Sequence, residues 1–98
     1  MQVNWSPCAI EALMEAADYI KQFSVGRAKK FYETIKEKVK LLGNQPFIGK
    51  KYERHPEYRE FLVHRNYKIY YHIEHSKNKQ EMVVIDIFRH CKRDYWTP

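Results

Sequence analysis

The sequence predicts an α+β domain built from an N-terminal strand, an antiparallel helix hairpin and a three-stranded antiparallel meander. Three observations carry this reading. Two early segments place apolar residues at helical spacing, the later segments alternate apolar with polar residues, and 98 residues suffice for one compact domain spanning 1–98. In residues 2–5, Val3 and Trp5 alternate as in a strand. Ser6 and Pro7 then open a helix, with Ser6 as N-cap and Pro7 at the first helical position. Ile10, Leu13, Met14, Ala17 and Ile20 follow at helical spacing, which carries the helix to Gln22. Residues 23–26 interrupt it. Ala28, Phe31, Tyr32, Ile35, Val39 and Leu42 form a second apolar stripe, with charged residues on its other faces. Gly43 stands as its stop signal and Pro46 lies just beyond.

Residues 45–57, with Pro, Gly and charges, read as a loop. Strands are expected over 58–64, 67–74 and 82–89, and Arg65-Asn66 forms a tight turn between the first two. The last strand is the most apolar and is expected inside the sheet. The tail, 90–98, is polar and aromatic. Such a sheet hides one face under the helices and leaves the other free; Lys68, Tyr70 and His72 are expected on the free face.

The formal net charge of +6 fits a polyanionic partner, or simply a lysine-rich helix surface. Cys8 and Cys91 form neither a disulfide framework nor a metal cluster, and the five histidines show no zinc spacing. The sequence has no phosphate-binding glycine loop or nucleophile elbow, so no cofactor is expected. The first residues lack a signal-peptide pattern and no stretch has the length of a membrane span, so a cytoplasmic protein without a membrane partner is expected.

Several short motifs in order resemble the RelE/ParE superfamily of toxins from type II toxin–antitoxin systems, a group that includes plasmid stabilisation proteins. They are Val3-Asn4-Trp5-Ser6-Pro7 with Ala9, the stretch from Leu42 through Pro46 to Gly49, Tyr58-Arg59-Glu60-Phe61-Leu62-Val63, Tyr67-Lys68-Ile69-Tyr70-Tyr71, and Val83 to Phe88 followed by His90-Cys91-Lys92-Arg93-Asp94. The resemblance covers nearly the whole chain. It implies a sheet under two helices, a cognate acidic antitoxin as partner, and one of two targets. ParE-like members poison DNA gyrase without a hydrolytic site, whereas RelE-like members are endoribonucleases that cut mRNA in the ribosome.

RNA cleavage needs a base for the 2′-OH, cations for the phosphorane-like charge and an acid for the leaving oxygen. The candidates are His90 as acid or base, His64 as a second base, Arg65, Arg89 and Arg93 as phosphate clamps, and Tyr95 as a stacking or proton-donating group. The basic loop Lys50, Lys51, Tyr52, Glu53, Arg54 and His55 is a candidate backbone-binding element, with Tyr52 stacking on a base and Glu53 or His55 as a further base; Lys68 and Lys92 add cations. The alternative for the histidines is a strand-end residue, and for the loop a solvated surface. Two departures stand out: Val63 occupies the place of an arginine in RelE-like members, and the tail is short for a C-terminal helix with a catalytic tyrosine. These departures favour a ParE-like gyrase poison. His90 and the basic loop keep the endoribonuclease open, and an inactive relative that only binds antitoxin or nucleic acid remains a third reading.

Overall fold

In the computed structural model, which describes residues 1–78, 80–92 and 96–98, the elements run β1 (Gln2–Trp5), α1 (Pro7–Lys21), α2 (Val25–Asn44), β2 (Lys50–Lys51), β3 (Arg59–His64), β4 (Tyr67–His75) and β5 (Glu81–His90). Ser6 begins α1 as read from the sequence: its Oγ accepts the Ala9 N–H at 3.0 Å and donates to the Asp86 carbonyl at 2.8 Å, so the cap also ties the helix to β5. Ser24 caps α2 in the same way, through the Arg27 N–H at 3.1 Å.

The five strands lie in the order β1-β5-β4-β3-β2. β5 is therefore an interior strand, as its apolar composition suggests. β1 pairs parallel to it, with Val3 opposite Val83 and Trp5 opposite Ile85. Both helices cover one face. Ala9, Leu13, Phe31, Ile35 and Leu42 pack on Ile69, Tyr71, Val83, Ile85 and Phe88. The spacing of those last three residues breaks strand alternation, and a β-bulge accounts for it. Tyr70 pairs with Ile87 but Tyr71 with Ile85, so Asp86 is an extra residue that bends β5 and returns Phe88 to the core.

The structure corrects three expectations. Residues 45–57 are not all loop, because Lys50 and Lys51 form a short edge strand against Glu60 and Arg59. Gly43 does not end α2, which runs to Asn44. A Cβ at Gly43 would lie 3.2 Å from the Met1 carbonyl and 3.3 Å from Val3, so glycine there permits close approach of the N-terminal strand. Finally, the sheet face away from the helices is not open along its length. Tyr70, expected exposed, is 1% exposed, and rings of Tyr52 and Trp96 lie over it at 4.8 and 5.1 Å.

Candidate functional site

The expected site residues divide into three groups. The first gathers at the β3–β4 turn. His64 and Tyr67 pair across the turn, Tyr67 pairs with His90, and the Cys91 N–H donates to the Asn66 carbonyl at 2.8 Å. These bonds hold Arg65 and His90 at one end of the sheet. The rings of His64 and His90 lie 5.9 and 5.1 Å from that of Tyr67, and Phe31 of α2 packs against His64 and Tyr67. Two clefts flank this aromatic row. One, of about 650 Å³, lies between the helix hairpin and the turn and is lined by Ile20, Arg27, Lys30, Phe31, Thr34, His64 and Arg65. Among the described residues its lining holds three cations and no carboxylate. The other, of about 540 Å³, lies between α1 and the end of β5 and includes Glu15, Tyr19, Arg89, His90 and Lys92.

The neutral tautomers of the two rings follow from their contacts. His64 Nδ1 accepts the Asn66 N–H at 3.4 Å, and His90 Nδ1 accepts the Lys92 N–H at 3.1 Å. A neutral imidazole bonded this way carries its proton on Nε2 and has no second lone pair to receive another. Partial burial, and after it the Arg65 guanidinium, hold the His64 pKa below the ordinary imidazole value.

The second group lies on the far face. Lys68 and Arg89 pair across β4 and β5, and the Lys68 ammonium sits 5.2 Å from the Tyr70 ring centroid. Burial alone would lower the Lys68 pKa; contact with Tyr70 and the Glu60 carboxylate outweigh it and raise the value. Further along, His72 Nδ1 bonds Asp86 Oδ2 at 2.6 Å and Nε2 bonds Glu74 Oε1 at 3.1 Å. Burial would lower the His72 pKa as well, but the two carboxylates more than offset it and hold it above the ordinary value. The Asp86 carboxyl is raised by its own burial against the pull of His72. This cluster, with Tyr58 packed edge-on to His72 at 5.5 Å, escaped the sequence reading except for the placement of His72. His72 and Glu74 share a face by strand alternation, which is a visible signal; Asp86 joins them through the bulge, which left no such signal.

The third group is the basic loop. Lys50 pairs with Glu60, four residues before His64, so the loop begins roughly 13 Å along the strand from the turn. Lys50, Lys51, Glu53 and Arg54 are exposed, and His55 lies 3.7 Å from the Glu57 carboxylate. Tyr52, expected to stack on a bound base, is 4% exposed and donates from its hydroxyl to the Trp96 carbonyl at 2.7 Å. Its ring is already engaged within the protein. Arg93 and Tyr95 lie outside the described residues.

Against this geometry, the family model for the ParE toxin of type II toxin–antitoxin systems, parDE, matches residues 3–95. The chain belongs to the ParE toxin family. This makes it the toxin of a type II toxin–antitoxin pair and implies an antitoxin partner. Among solved structures, the toxin is similar to the YoeB/ParE toxin from Agrobacterium tumefaciens, with a TM-score of 0.59 at 12% identity over 92% of this chain and 98% of that one. That likeness supports the fold. No curated protein matches the chain. Val63, named above as a departure from the RelE-like pattern, is fully buried in this toxin's core. No helix among the described residues is long and apolar enough to cross a membrane.

Proposed function

We propose that this toxin stops growth by binding DNA gyrase and not by cutting RNA. One observation carries the reading. Of the histidines at the cationic end of the sheet, neither offers a free ring nitrogen as a general base, because backbone N–H groups take Nδ1 in both. Arg27, Lys30 and Arg65 then act as a binding surface, with Phe31 and Ile20 as its apolar floor. The same cleft suits an acidic, partly apolar segment of the antitoxin, which would mask the surface by charge complementarity.

A second reading, ribosome-dependent endoribonuclease, has one observation in its favour. Glu15 shares a cleft with His90, Arg89 and Lys92. There Glu15 would be the base, the His90 Nε2–H a hydrogen-bond donor to the leaving oxygen and the two cations the phosphate clamps.

Tightly controlled expression separates the two. The gyrase reading expects double-strand DNA breaks and an SOS response with translated mRNA intact, unchanged in His90→Ala and Glu15→Gln. Ribosome-dependent mRNA cuts that vanish in either variant would overturn it.

A further inference from the structure

The far face of the sheet holds a slot that the toxin fills with its own tail. Trp96 lies against three tyrosines from three different segments. Its ring is 4.8 Å from Tyr58, edge-on; 5.1 Å from Tyr70, tilted by 32°; and 6.3 Å from Tyr52, at 25° to its plane. Tyr52 comes from the loop after β2, Tyr58 precedes β3 and Tyr70 belongs to β4. All three converge on one flat bicyclic side chain. Indole and purine share that fused outline, and base-on-tyrosine stacking is the common means of holding an unpaired base.

Charged and polar groups flank the slot on two sides. On one side the Lys68 ammonium lies over the Tyr70 ring, beside Arg89 in the neighbouring strand. On the other, Tyr58 contacts His72, whose Nδ1 is bonded to Asp86. A carboxylate has acceptor sites beyond one hydrogen bond and can receive the exocyclic amino group of a base. Cation on one flank, acceptors on the other and rings between them match a phosphate, a base edge and a base plane in turn.

We propose that the Tyr52–Tyr58–Tyr70 slot is a purine-nucleotide site that the Trp96 indole occupies in the free toxin. A base enters when the indole turns out about its own side-chain bonds, so binding is competitive with Trp96. The site does not depend on which target the toxin poisons. Competition lowers the apparent affinity by the fraction of molecules with an open slot, so Trp96→Ala should bind AMP about tenfold more tightly than the natural chain.

The test uses the full chain in two forms. In Trp5→Phe the slot is intact and Trp96 is the sole indole. Saturation with AMP should shift its emission to the red and raise its quenching by acrylamide. In Trp96→Ala, checked for folding by circular dichroism, calorimetry should show the tighter AMP binding, weaker binding of UMP, and loss of the phosphate contribution in Trp96→Ala/Lys68→Ala. Titration with single-stranded oligoadenylate distinguishes the source. Equal affinity per base points to a free nucleotide, while much tighter, salt-sensitive binding points to a base within a strand; either supports the slot. Unchanged Trp96 emission at AMP and oligoadenylate concentrations that saturate other proteins of this kind of site would overturn the proposal. So would a Trp96→Ala chain that folds and binds neither ligand more tightly than the natural one.

Discussion

Gly49→Ala should cost this protein far more than a substitution beside a two-residue edge strand normally does. Gly49 is buried, its N–H donates to the Tyr71 hydroxyl at 2.9 Å, and that hydroxyl donates to the Pro46 carbonyl at 2.8 Å. A Cβ on Gly49 would stand 2.5 Å from the Tyr71 Oη, 2.6 Å from its Cε1 and 2.9 Å from the Glu60 carbonyl oxygen. The Glu60 oxygen belongs to β3, and Tyr71 is fully buried, so neither neighbour can move aside cheaply. Displacing the ring breaks both hydrogen bonds inside the protein, at about 2 kcal/mol for the pair. Overpacking adds about 2 kcal/mol more, for a total of about 4 kcal/mol. A domain of this size has only about 5–15 kcal/mol in all. Urea unfolding followed by far-ultraviolet circular dichroism measures the loss as a shift in midpoint at constant slope. Tyr71→Phe is the companion variant, since it removes both hydrogen bonds and adds no atoms; it should cost about 2 kcal/mol. A Gly49→Ala loss under about 1 kcal/mol, or one no larger than that of Tyr71→Phe, would refute the steric argument.

The two perturbed histidines should give opposite pH responses. His72 titrates above the ordinary 6.5 when folded, so its stabilisation is complete below 6.5 and is lost as pH rises through the folded value; His72→Gln should remove that decline in urea titrations. His64 titrates below 6.5 when folded, so its stabilisation is complete above 6.5 and is lost as pH falls toward the folded value; His64→Gln should flatten the acid side. Val63→Arg should place an unpaired charge in the core and cost at least about 3 kcal/mol without creating RNA cleavage, measurable by unfolding and by mRNA cleavage assays on the soluble fraction. Charge reversal at Arg27 and Arg65 should weaken antitoxin binding at least about tenfold, mainly through slower association, and reduce its salt dependence; biosensor kinetics at two ionic strengths would expose an unchanged rate.

Signals that act locally are legible in the chain. Ser6 and Pro7 announce α1 because capping chemistry lies within one turn, and Tyr67, Ile69, Tyr71 and Ile73 announce β4 because alternation needs no partner. The hairpin turn at Arg65-Asn66 belongs to the same class. What escaped depends on distant segments. Lys50 and Lys51 form a strand only because β3 lies beside them, and two residues carry no period. Tyr70 alternates like an exposed residue, yet Tyr52 and Trp96 come from elsewhere to cover it. The proposed binding surface is half legible: Arg65 and His64 stand out at the turn, while Arg27 and Lys30 belong to the charged faces of a helix and reach the turn only through the packing of α2. His72 and Asp86 meet through a bulge that hydrophobic pattern alone does not announce.

Of the strands in this sheet, β1 comes earliest in the sequence yet pairs with the one that comes last. Residues 2–5 take their strand partner from β5, so during translation they wait for residues 82–85 to leave the ribosome. A nascent toxin therefore lacks one edge of its sheet until β5 has been made, and the Met1 ammonium cannot settle on the Gly43 carbonyl beforehand in its final register. For a protein harmful to the cell that makes it, such late closure delays the finished sheet until its last strand has been made.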